Sequence, residues 1–209
     1  MNLGEFIARF RAAVFDEAEP PFWSSEEITV YLNEAVQEAC ERAKLIEDRS
    51  MSVALTPGQD TYNLHASVFE IKRLALRGGP LGETSVEALD AQWRNWESCT
   101  GQPREFIFEQ ASGMQPARVR LVPTPIEANT ADLTVYRGTL KPLNSDLEQA
   151  RPEIPERFHE RLLDWMMHRA YLKQDAETFD RSKAAQSLAL FVASFGERPD
   201  ANVQRKQRD

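Results

Sequence analysis

Apolar residues along this chain change their spacing twice, and the two changes divide it into three zones. Between residues 1 and 48 the period is helical. Leu3, Phe6, Ile7, Phe10 and Val14 recur on one side of a first helix. Pro20-Pro21 interrupts it. Ser24, with Glu27 three residues on, then forms a capping box, in which the hydroxyl accepts a backbone N–H and the carboxylate reaches back. The helix it opens places Ile28, Tyr31, Leu32, Ala35, Ala39, Ala43 and Ile46 on one face. Asn33, Glu34, Gln37, Glu38, Glu41 and Arg42 lie on the other. Alanines at four-residue spacing let a second helix approach closely.

From residue 50 to 140 the period shortens. Ser52–Leu55, a turn at Thr56–Asp60 and Thr61–Leu64 read as a hairpin. Val68–Leu76, Phe106–Phe108, Val119–Val122 and Leu133–Arg137 read as further strands, about six in all. Residues 84–97 break the pattern as a short helix with Leu89, Trp93 and Trp96 on one face. A polar linker with Pro142 and Pro152 follows. Helical spacing returns over 153–196, first with Phe158, Leu162, Leu163, Trp165, Met166, Ala170 and Tyr171. After a break at Gln174-Asp175 it resumes with Phe179, Ala185, Leu188, Ala189, Phe191, Val192 and Phe195, and Gly196 is a natural stop. Residues 197–209 have almost no apolar content and are expected to be extended or disordered.

The expected fold class is α+β. The N-terminal helices (residues 1–49) and the C-terminal helical hairpin (153–196) form an antiparallel bundle. A small β-sandwich or barrel-like module (50–140) is inserted between them. Neither helical end buries its stripe alone, and one shared bundle satisfies both.

Composition narrows the function. Net charge is −8, which disfavours coating nucleic acid with the whole surface, although an acidic wall lets a duplex slide past. Two cysteines, Cys40 and Cys99, do not make a disulfide framework, and a reduced cytoplasmic origin follows. No apolar run approaches the roughly 20 residues that span a bilayer, and the N-terminus lacks a signal-peptide pattern. His65, His159 and His168 form no metal-type pair. Asp164 and His168, four apart, read as an exposed helix pair. Gly78-Gly79 lacks phosphate-loop spacing. No catalytic, cofactor or metal residue is assigned, and no enzyme activity is expected. The candidate contacts are assembly contacts instead. Trp93 and Trp96 lie on a short helix with few places to bury two indoles, and Arg198, Arg205, Lys206 and Arg208 make the tail slightly basic on an acidic body.

Phe22-Trp23-Ser24-Ser25-Glu26-Glu27-Ile28, Tyr31-Leu32-Asn33-Glu34-Ala35 and Glu38-Ala39-Cys40 resemble the opening of tailed-phage head-to-tail adaptor proteins. The resemblance continues in order through Pro57-Gly58, Tyr62-Asn63-Leu64, Leu89-Asp90, Trp93 and Gly101-Gln102-Pro103. It then runs through Leu121-Val122-Pro123-Thr124-Pro125, Tyr136-Arg137, Glu153-Ile154-Pro155-Glu156, His159, Asp164-Trp165, Ala170-Tyr171 and Phe195-Gly196. It implies a structural virion protein at the head–tail interface, made in the host cytoplasm. Its expected partners are its own copies in a ring, twelve in the family's pattern, the portal protein, and tail or nozzle proteins. Double-stranded DNA passes through the channel unread, and no membrane is involved. The alternative is another neck or tail-completion protein, or a non-phage scaffold of the same architecture.

Overall fold

The computed structural model describes residues 1–174 and 178–199. Its elements fall into a helical unit, Met1–Ile46 with Gly138–Arg198, and a β unit built on Glu47–Arg137.

In the helical unit, α1 (Leu3–Val14) is opened by Asn2, whose side chain accepts from the Glu5 amide while Glu5 reaches back to the Asn2 amide. Two further amides of its first turn donate to the linker, Leu3 to the Ala150 carbonyl and Gly4 to that of Glu148. Helix α2 (Ser25–Ala43) carries the expected Ser24–Glu27 capping box. It ends earlier than its hydrophobic spacing suggests. Lys44 adopts a left-handed conformation as its cap, Ala43 is exposed, and Ile46 already belongs to a strand. After the linker and a 3-10 turn come α4 (His159–Tyr171) and α5 (Arg181–Phe195), with α3 lying in the β unit. Asp180 caps α5 by accepting from the Ser182 and Lys183 amides.

The apolar faces of α1, α2, α4 and α5 merge in one core, with Phe6, Phe10, Ile28, Leu32, Leu162, Met166 and Phe191 fully buried. The face of α5 differs from the expected one. Ala184, Ser187, Phe191 and Phe195 are buried, Ala185 and Ala189 are exposed, and Phe179 is 51% exposed. An alanine-rich helix has little polarity contrast around its circumference, so spacing alone does not choose between neighbouring registers.

The β unit contains β1 (Ile46–Leu55), β2 (Thr61–Asn63), β3 (Val68–Leu76), β4 (Gly79–Pro80), β5 (Gly82–Glu83), β6 (Thr100–Gly101), β7 (Glu105–Glu109), β8 (Arg118–Val122), β9 (Thr124–Pro125) and β10 (Asn129–Arg137). One sheet has the order β1-β10-β3-β4, a second β2-β8-β7-β5, and β6 pairs with β9. Antiparallel register sets Leu133 opposite Leu74 and Val135 opposite Ile71 in the first sheet. In the second it sets Phe106 opposite Leu121 and Phe108 opposite Val119. Side chains from both four-stranded sheets fill one core, which makes the module a sandwich. The barrel-like form is not adopted, since among the described residues both sheets have free edges.

The expected helix over 84–97 is also revised. Helix α3 (Val86–Gln92) stops before Trp93, Asn95 takes a left-handed backbone at φ 61°, and Trp96–Ser98 forms a separate 3-10 turn. Leu89 and Trp96 pack on Ile107 and Val122 of the second sheet.

Candidate functional site

Trp93 and Trp96, three apart, do not share a face. Trp96 is 3% exposed, its indole N–H donates to Asp90 Oδ1 at 2.8 Å, and the Arg120 guanidinium lies 4.6 Å from its ring centre. Trp93, the cap residue of α3, is 38% exposed. The left-handed turn at Asn95 sends the two indoles to different environments, so of this pair Trp93 is the one available to a partner.

Arg198 lies 3.4 Å from both Glu38 and Glu41 of α2, so the start of the tail is held by acidic residues of its own chain. Arg205, Lys206 and Arg208 lie outside the described residues.

Helical spacing puts Arg42 on the solvated face of α2, and the structure buries it instead. The Arg42 side chain is only 7% exposed. Its guanidinium pairs with Glu38 at 2.9 Å, lies 5.4 Å from the Trp165 ring centre and 5.2 Å from that of Phe191, and donates to the Gly196 carbonyl. One side chain of α2 thereby touches α4, α5 and the end of α5. A planar cation suits this task, because it stacks on aromatic rings while its edge donates. Its Glu38 partner at i−4 is the only signal in the sequence, and it looks like any surface pair. Asn33, which spacing also puts on the solvated side, is engaged as well. Its amide donates to the Leu143 carbonyl and accepts from the Leu143 N–H, pinning the linker to α2.

The three histidines make local contacts. His65 Nδ1 meets Ser67 Oγ, His159 Nε2 meets the Ile154 carbonyl at 3.1 Å, and His168 Nδ1 meets the Ala184 carbonyl at 2.9 Å. Burial holds the His159 imidazole below its ordinary range. Asp164 is buried, where the sequence suggested exposure, and burial raises its carboxyl above the ordinary range. Cys40 is buried, and Cys99 Sγ lies 3.5 Å from the Asn95 carbonyl. In the β unit Asp48 is pushed down to about 2 by hydrogen bonds from Ser50 and by Arg137. Among the described residues, no group of three or more His, Cys, Asp or Glu is placed to hold a metal ion. No helix among them is long and apolar enough to cross a membrane.

Beyond Trp93, several large apolar side chains that spacing did not single out stand in solvent. Phe15 is 83% exposed, Ile126 57%, and Met114 is exposed completely. Such side chains on an otherwise well-buried chain are candidates for contact with other proteins.

Among curated proteins, none matches this chain. A family model described as SU10 adaptor protein matches it over residues 1–209, from one end of the sequence to the other. A surface-built site and a match of that extent lead to the same place: the chain belongs to the SU10 adaptor protein family.

Proposed function

We propose that this phage adaptor protein works as a ring, twelve copies in the family's pattern, docked beneath the portal. There it extends the DNA channel and offers a platform to the tail. The family match over the whole chain carries this reading. The residues support it. The three histidines make local contacts, and exposed apolar side chains such as Trp93 and Phe15 are left for contact. The net charge of −8 suits a channel wall that repels phosphates and lets a duplex slide without reading its bases.

Within this reading the helical segments at 1–49 and 153–196 act as one antiparallel bundle, the module at 50–140 as an insertion, and residues 197–209 as a docking tail. Trp93, Arg198, Arg205, Lys206 and Arg208 are the contacts proposed for assembly, and buried Trp96 supports the surface around Trp93. The protein performs no chemistry of its own.

Native mass spectrometry with the cognate portal tests the proposal. A complex carrying twelve copies of the chain on the portal ring is expected. Deleting residues 197–209 should weaken that complex while leaving the melting transition of the isolated chain in place, since few apolar side chains are lost. A chain that stays single in the presence of portal, with and without tail proteins, contradicts the ring. A chain that ignores portal and binds only the tail tube identifies another neck or tail-completion component.

A further inference from the structure

Helix α5 ends at a hinge. Gly196 caps it with φ 87° and ψ 174°, a backbone that glycine alone takes without strain. Open space surrounds the position a Cβ would occupy there. The Gly196 carbonyl accepts from Arg42 Nη1 at 3.3 Å. The residues just past it are stiffer. Pro199 fixes its own φ, and it confines Arg198 before it to extended backbone. The course of the chain beyond α5 is therefore set at Gly196, and Arg198 is the first side chain past the hinge with a charge to offer an acidic partner.

That side chain is parked on α2. Arg198 Nη1 lies 3.4 Å from Glu38 Oε1, and its Nη2 lies 3.4 Å from Glu41 Oε2. Each carboxylate also has another partner nearby. Glu38 Oε2 takes Arg42 at 2.9 Å, and Glu41 Oε1 accepts from the Gln37 amide at 2.9 Å. Glu38 and Glu41 outweigh the charge of Arg42, and Arg198 meets the excess.

The two guanidinium groups on Glu38 differ in how firmly they are held. The Arg42 side chain is 7% exposed and stacks on Trp165 and Phe191. The Arg198 side chain is 63% exposed, and both of its contacts are long. A pair of the first kind stays. A pair of the second kind contributes little, weakens in salt, and yields to an acceptor placed for shorter, bidentate bonds. We propose that the segment after Gly196 is a strap parked on α2 by Glu38 and Glu41. An acidic partner draws Arg198 off by swinging the strap about Gly196, and Arg42 stays in place. This rests on the reading above that Arg198 makes an assembly contact. It adds that the free chain holds this residue back until a stronger acceptor arrives.

Two variants of the full chain separate the strap from a simple brace. Glu41→Gln loosens the parked state and spares the Glu38–Arg42 pair, whereas Arg198→Ala removes the docking group itself. The half-saturating concentration for portal binding should fall roughly two- to fivefold for Glu41→Gln, the worth of one exposed ion pair. It should rise for Arg198→Ala. An Arg198 that only braces α2 gives a loss or no change from both, so shifts in the same direction, or none for Glu41→Gln, overturn the strap. The free chain supplies a second readout. The heteronuclear 15N NOE of the Arg198 amide should report order in the wild type, and motion in Glu41→Gln and at about 0.5 M salt. Equal values in all three overturn the parked contact. Wild-type protein that never binds portal, with the Arg198 amide loosening as expected, overturns the ring reading and the exchange and leaves the parked contact standing.

Discussion

Among the described residues, the helices of the first unit are tied by backbone only at a terminus, where the Asp180 N–H at the cap of α5 donates to the Tyr171 carbonyl of α4, so side chains must set how they lie. The strands of the second unit are registered by the backbone ladder itself. The side chains differ accordingly. In the helical unit, Arg42 ties α2 to α4 and α5, Asn33 ties α2 to the linker, and Lys173 pairs with Glu27. These directional contacts join segments that the β unit separates in sequence. The β-unit core is aliphatic and aromatic, and its buried cation, Arg137, pairs with Asp48 from β1. Where the ladder already supplies register, polar contacts such as Arg120 with Asp60, Glu97 and the Trp96 ring supplement it. Where it is missing, polar groups with fixed geometry are added, at the desolvation cost such groups carry.

The largest effects should not distinguish the units. Leu162→Ala in the helical unit and Leu133→Ala in the sandwich each remove a fully buried side chain. Each is expected to cost about 2–5 kcal/mol by urea unfolding. A markedly smaller cost in one unit would show that its core is loosely packed and would weaken the comparison.

Arg42 is the sharper probe. Arg42→Ala leaves Glu38 partly buried without this partner and removes the stacking on Trp165 and Phe191. A loss of about 2 kcal/mol is expected. Arg42→Lys should recover little of it, since an ammonium cannot stack and fork at once. Full recovery by lysine would reduce the clamp to simple charge pairing.

Acid should separate the units by a smaller margin. His159 is held below its usual 6.5 by burial, so the unfolded chain takes the proton more readily. Stability of the helical unit is therefore lost as pH falls below that value. Asp48 sits at about 2 against an ordinary 3.8, so its contribution holds above pH 4 and is lost as pH falls from about 4 to about 2. Asp164, raised by burial, works in the opposite sense, since protonation relieves its desolvation. Hydrogen exchange followed against pH should show helical amides loosening before those of β1 and β10. Simultaneous loosening would contradict this order, and Asp48→Asn should flatten the acid limb of the β unit alone.

The parts legible in the sequence are those with a local physical cause. The Ser24–Glu27 box announces α2 because capping needs only four residues. The long strands announce themselves by alternation and by the turns between them. The end of α2 is silent, since Lys44 takes the left-handed cap without a glycine to mark it. The Trp93–Trp96 pair misleads because one residue, Asn95, turns the backbone between them. Arg42 stays hidden because burial of a charged side chain depends on α4 and α5, which arrive from far along the chain. Surface contacts are the least legible. Met114 is one apolar residue in a polar loop, and only the finished hairpin shows that it has nothing to pack against.

Electron microscopy of the intact particle tests the central claim most directly. The account predicts density for this chain as a closed ring between portal and tail, its copies lining the DNA channel. Density for the chain elsewhere in the virion, or none at the portal vertex, would contradict it.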